Sequence, residues 1–242
     1  MANSKAIKEF FDVVLKGESK TYNDHNWYVC NGTVKKCLKG YIEGRGKPQY
    51  PNLNKNLSDY TIQEVINFQK KARSGNGQLF ATGRYQIIPT TLLGVVKDTS
   101  ISVNEKYNQV NQDKLAFQLL LNKSDIKSYI NGTNENNKKN LELASLSVAR
   151  IWSSVGVPYK VKGKHQWVEK NQSYYSGGGD KASVKTEDIQ IALEKLRKNI
   201  NNSEENPNES PSGKSISLKT IIIGIILTVA GFYVYKNRSY LT

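Results

Sequence analysis

Near the end of the chain, Thr220–Tyr235 reads TIIIGIILTVAGFYVY without one charged side chain. A segment that is apolar all round must be enclosed, by protein or by lipid. As a helix, about 16 residues span about 24 Å, slightly less than a ~30 Å hydrocarbon core. Ile216 and Leu218 extend the run N-terminally. Lys219 and Lys236 bracket it and can snorkel outward, while Tyr233 and Tyr235 suit an interfacial belt. The expectation is one C-terminal transmembrane helix over 216–236, followed by a short basic tail over 237–242. A buried core helix is the competing reading. Lys214 and Lys219 precede the span and Lys236 and Arg238 follow it, so the positive-inside rule leaves the orientation open.

The stretch before the span, NINNSEENPNESPSGKS, is polar, holds Pro207, Pro211 and Gly213, and lacks apolar periodicity. It reads as a flexible linker over 199–215. Residues 1–198 are then left as one folded domain, and with 38% hydrophobic and 23% charged residues the chain is globular rather than disordered. The formal net charge of +14 points either to a polyanionic partner or to a Lys-rich composition that serves solubility, since the lysines are scattered. A basic stripe with interleaved aromatics is not evident, so no nucleic acid is expected as a partner. Two cysteines and two histidines make no zinc pattern, and no metal or organic cofactor is implied. Cys30 and Cys37 close a short loop as a disulfide or remain free thiols. The charged N-terminus lacks the apolar run of an ordinary secretory signal.

Within the domain, SKAIKEFFDVVLKG forms a helix, with Ser4 at its N-cap, Gly17 at its stop and Ile7, Phe10, Phe11, Val14 and Leu15 on one face. A second helix follows in DYTIQEVINFQKKA, capped by Thr61, with Val65, Ile66 and Phe68 or Gln69 facing inward. Further helices are predicted over 89–96, 112–121, 140–155 and 186–199. Residues 30–60, rich in Gly, Asn, Pro and Tyr, read as loops and short strands. The fold class is therefore α+β, predominantly helical with a small β or loop region.

Glu18 lies seven residues after Phe11 and four after Val14, so it continues the apolar stripe of the first helix. A carboxyl beside apolar side chains resists ionisation and its pKa rises, as a general acid at neutral pH requires. The plainer reading is the first solvated residue past a helix end. A second feature is LFATGRYQIIPTTL, where Gly83 permits a tight backbone approach, Tyr85 offers an aromatic face and Gln86 an amide. That combination suits a sugar, or simply a turn leading into a helix with Pro89 in its first turn.

Glu18-Ser19 followed by GRYQ at 83–86 resembles the phage lytic transglycosylases of the lambda endolysin type. LASLSVARIWSSVGVP at 143–158 and QSYYSGGGDKA at 172–182 are similar to further blocks of those and related phage wall enzymes, in the same order. The resemblance runs from about Lys5 to about Lys198. It implies a lysozyme-like domain with Glu18 beside a groove. Glu18 would protonate the oxygen between N-acetylmuramic acid and N-acetylglucosamine, then take the proton of the muramic acid C6 hydroxyl as that oxygen closes a 1,6-anhydro ring. Tyr85 and Gln86 would hold the sugar, Ser19 would hydrogen-bond near the carboxylate, and Tyr174 and Tyr175 would line the groove. Trp152 is expected in the core.

Two alternatives stay open. A hydrolytic muramidase would use a second carboxylate, for which Asp24 is the candidate; Asp24 also suits a turn cap. A non-catalytic module tethered to a membrane would bind wall polymer through its charge. The implied partners are peptidoglycan glycan strands and, through Thr220–Tyr235, a lipid membrane. A tethered wall enzyme suggests a phage virion membrane as its location.

Overall fold

The computed structural model describes residues 2–18, 57–72, 81–132 and 138–202. The apolar run at 220–235, the expected linker beyond residue 202, Ser19, Asp24, Cys30, Cys37 and most of the expected loop-and-strand region at 30–60 lie outside the described residues; residues 199–202, expected to open the linker, are instead the end of the last described helix, where Ile200 is buried against the core. Among the described residues no helix is long and apolar enough to cross a membrane. They are mostly helical, with one two-stranded sheet.

Helix α1, Ala2–Glu18, begins two residues before the expected cap at Ser4. Its stripe behaves as its spacing predicts: Phe10, Phe11, Val14 and Leu15 are buried and Ile7 packs partly against them. Fully burying such a side chain contributes roughly 1.5–3 kcal/mol, so this face seats the helix. It lies chiefly along α7, Thr186–Asn202.

Helix α2, Ile62–Ala72, follows a short 3₁₀ turn at Leu57–Asp59. A capping box starts it. The Glu64 N–H donates to Thr61 Oγ1 at 3.1 Å, and the Thr61 N–H donates to Glu64 Oε2 at 2.6 Å. Helix α3, Pro89–Lys97, takes Pro89 in its first turn, where the missing N–H is not needed. Helix α4, Gln109–Leu121, is capped by the Asn108 side chain, which accepts from the Asn111 N–H. It starts three residues before the predicted 112.

Helix α5, Ser124–Ile130, is not among the predicted helices. Helix α6, Lys138–Ala149, ends six residues before the predicted Val155. Beyond it the Arg150 and Trp152 N–H groups bond to Leu146 and Val148 carbonyls, and the chain then straightens. Val155 bridges to Val184 in parallel and Gly156 to Ser173 in antiparallel fashion. These long-range partners override local helix preference. Strands β1, Val161–Lys162, and β2, Trp167–Val168, pair as a small antiparallel hairpin.

Between α2 and α3, residues 82–87 form a tight turn that the rest of the domain holds by side chains. Thr82 and Ile87 exchange backbone hydrogen bonds at 3.2 and 3.0 Å. Gln69 Nε2 donates to the Ile87 carbonyl at 2.8 Å, and Tyr107 Oη donates to the Thr82 carbonyl at 3.2 Å. Gln112 bridges the turn to α4: its Oε1 accepts from the Arg84 N–H at 2.9 Å, and its Nε2 donates to the Tyr107 carbonyl at 2.8 Å. Gly83 is required here. Its φ is +72°, and a Cβ would lie 2.3 Å from Gln112 Oε1. Gly83→Ala should therefore cost about 1–3 kcal/mol. Urea unfolding monitored by tryptophan fluorescence would read this as a lower midpoint with unchanged slope, and an unchanged midpoint would mean that the turn relaxes freely.

Candidate functional site

Glu18 is the last residue of α1, and its carboxyl meets the segment that follows α6. Ser154 Oγ donates to Glu18 Oε1 at 2.6 Å, and the Ser154 backbone N–H donates to the same oxygen at 3.3 Å. Gly17 makes this approach possible. A Cβ at 17 would stand 2.4 Å from Ser154 Oγ and 2.9 Å from Val184 Cγ2. The glycine expected to stop the helix thus lets the helix end press against residues 154 and 184.

The Glu18 pKa is raised above its ordinary value. Burial is the main cause and the Asp180 carboxylate adds to it, while the two Ser154 hydrogen bonds pull the other way. Both Ser154 donors fall on Oε1, so that oxygen acts as the carbonyl of the acid and the proton belongs on Oε2. A carboxyl whose pKa is raised by burial, with one oxygen clamped, can donate a proton to a bound oxygen and take one back.

Tyr85 and Gln86 lie in the 82–87 turn. The Tyr85 ring is 2% exposed, edge-to-face with Phe11 at 4.8 Å between centroids. Its hydroxyl donates to Asp113 Oδ1. Burial foremost, and then the Asp113 charge, keep that phenol protonated. In this arrangement Tyr85 holds the turn to α1 and α4 from inside the core. Gln86 takes a left-handed φ of +48°, and its Nε2 donates to the Gly83 carbonyl at 2.7 Å. Arg84 reaches α1 and bonds Asp12 Oδ1 at 2.5 Å. Trp152, buried at 3% exposure, donates from Nε1 to the Tyr85 carbonyl at 3.3 Å and stands edge-to-face with Phe11. Phe11 and Trp152 therefore join the turn to the segment that carries Ser154.

Tyr174 and Tyr175 are partly exposed and packed edge-to-face at 5.4 Å. Tyr175 Oη donates to the Arg150 carbonyl at 2.7 Å, and the Arg150 guanidinium covers the Tyr174 ring at 5.4 Å. The Tyr175 pKa is raised, by burial first and then by Tyr174 and Asp180. Asp180 thus bears electrostatically on both Glu18 and Tyr175. The structure joins Glu18 to Ser154, and Tyr174 and Tyr175 to Arg150; Ser19 lies outside the described residues.

Ser154, Asp180, Arg84 and Gln112 are additions to the sequence-predicted set. Ser154 and Asp180 stand inside stretches already singled out, IWSSVGVP and SGGGDKA, but nothing local marks either residue. Among the described residues no group of three or more His, Cys, Asp or Glu is arranged to hold a metal ion.

The raised Glu18 pKa ties stability to pH. Folding favours the protonated form, so the carboxyl's contribution is full below the unfolded value near 4.5 and is lost as pH rises through the higher folded value. Glu18→Gln cannot ionise, and so should melt higher than the wild type at pH 8. The gap should close as pH falls toward 4.5; calorimetry across that range checks it, and a wild type that is the more stable at pH 8 would contradict a desolvated Glu18. Compared with family models, curated proteins and solved structures, the chain matches none of them.

Proposed function

We propose that this protein is a peptidoglycan-cleaving lytic transglycosylase with a lysozyme-like domain and Glu18 as its general acid and base. The observation that carries the reading is the Glu18 carboxyl itself: desolvated, raised in pKa and held through one oxygen by Ser154. Ordinary helix ends leave a glutamate in water. Glycosidases need a carboxylic acid that is still protonated near neutral pH.

The steps follow from that group. Glu18 gives its proton to the glycosidic oxygen as the bond to C1 of N-acetylmuramic acid breaks. The carboxylate left behind takes the proton of the C6 hydroxyl, whose oxygen bonds to C1. The products are a 1,6-anhydro muramic end and a free N-acetylglucosamine hydroxyl, with no water consumed. Ser154 keeps the acid oriented through both proton transfers. Tyr174 and Tyr175, partly exposed beside Arg150, offer aromatic surface for a sugar ring. Tyr85 and Gln86 serve as the shaped turn beside α1, with Tyr85 acting from within the core. The net charge of +14 favours approach to an anionic wall. A membrane span over 216–236 would tether the domain, which fits an enzyme carried in a phage virion membrane.

The test is digestion of purified peptidoglycan by the full chain, with mass spectrometry of the fragments. Anhydro ends are expected, and Glu18→Gln should lower the rate by at least about 10²-fold while leaving wall binding intact. Reducing muramic ends would replace this mechanism with hydrolysis. Activity that survives Glu18→Gln would remove Glu18 as the acid.

A further inference from the structure

Tyr174 and Tyr175 are fixed by three stretches of chain. Ser173 Oγ donates to the Ser153 carbonyl at 2.6 Å and accepts from the Tyr175 N–H at 3.2 Å. From the hairpin, the Lys164 N–H donates to the Tyr174 carbonyl at 2.8 Å. Just past α6, the Arg150 carbonyl accepts from Tyr175 Oη at 2.7 Å. The same two outside residues also bring a cation each. The Arg150 guanidinium lies over the Tyr174 ring at 5.4 Å and Lys164 Nζ over the Tyr175 ring at 5.3 Å. The rings themselves touch edge to face, 5.4 Å between centroids.

Arg150 and Lys164 are exposed, and among the described residues no carboxylate pairs with either. Nearby lysines differ: Lys160 pairs with Glu169 at 2.7 Å and Lys170 with Glu187 at 2.6 Å. Asp180, on the loop that begins at Ser173, is followed at once by Lys181, so that loop adds no net charge. A ring face attracts a cation but leaves its N–H donors open to a further partner. The guanidinium keeps a fork that matches a carboxylate, and the ammonium keeps its rotatable donors. Seating long side chains on rings also lowers the ordering cost of binding. Arg150 is four residues from Ser154, the clamp on Glu18, at most about 14 Å of chain.

We propose that Arg150 and Lys164, seated on Tyr174 and Tyr175, form a carboxylate-binding subsite beside the glycan cleavage point. Muramic acid carries a carboxylate, on its lactyl ether or on the peptide attached there; N-acetylglucosamine carries none. The inference rests on the glycosidase reading given above and names the substrate feature that the site selects. Besides offering ring surface, the two tyrosines hold the cations in place for that acid.

The experiment is a calorimetric binding titration of the full chain carrying Glu18→Gln, which holds glycan without cutting it. Soluble glycan strands with their peptides, the same strands stripped of peptide by an amidase, and uncharged N-acetylglucosamine oligomers are compared. Carboxylate-bearing strands should bind about tenfold or more tighter than the oligomers at low salt, and the difference should shrink as salt rises. Adding Arg150→Gln and Lys164→Gln should remove that preference while oligomer binding changes less than about twofold. The salt dependence with both cations intact tests the charge without touching the fold. A preference kept by the stripped strands supports a contact with the lactyl carboxylate, and one lost with the peptides supports a contact with the stem. Equal affinity for charged and uncharged ligands, or a preference that survives the double substitution, overturns the proposal. Single-stranded DNA bound tighter than any glycan, and released by the same substitutions, overturns it in favour of nucleic acid. A wild type that prefers carboxylate-bearing strands but cuts none overturns the glycosidase reading while the subsite stands; one that cuts glycan with equal affinities loses the subsite alone.

Discussion

The contact of Ser154 with Glu18 is the interaction on which the site depends, and it exists because residue 17 has no side chain. Ser154 Oγ sits only 2.4 Å from where a Cβ of residue 17 would be. The end of α1, the extended segment after α6 and Val184 before α7 are thereby drawn within van der Waals distance of one another. Replacing Gly17 by any other residue would separate three pieces of chain at once. The carboxyl of Glu18 is desolvated by the same closure, so its chemistry and the packing around it have one cause.

Two attachments keep α1 in place for this contact, and their magnitudes differ. The Arg84–Asp12 ion pair is short, but Asp12 is 42% exposed, and pairs so solvated contribute about 0–1 kcal/mol. The burial of Phe10, Phe11 and Val14 outweighs it several-fold. Packing therefore sets where the helix lies. The ion pair, with Tyr85 against Phe11 and Trp152 on the Tyr85 carbonyl, fixes its rotation relative to the 82–87 turn.

The parts legible in the sequence are those written in short-range periodicity. The stripe of α1 carries Glu18 along with it, and the Thr61–Glu64 box announces α2. α5 was illegible because seven residues are two turns, too few to show a period. The early end of α6 depends on Val184 and Ser173, which no local window contains. Tyr85 shows the same limit in the candidate site: an aromatic with a hydroxyl reads alike as a sugar platform or a core brace, and only Phe11 and Asp113 distinguish them. Ser154 gains meaning solely from the chain crossing that joins it to residue 18.

That crossing also has a consequence in time. Glu18 and Ser154 are 136 positions apart, and the strand that steadies Ser154 comes later still, at Ser183 and Val184. Joining such distant positions is slow compared with forming α1 itself, because loop closure precedes any reward from the contact. As the chain leaves the ribosome, Glu18 emerges early and remains an ordinary water-bathed carboxylate. It acquires its altered acidity only when nearly the whole domain has been made. Until residues 183 and 184 have been made and have joined the Ser154 carbonyl, the end of α1 lacks the neighbours that desolvate its carboxyl.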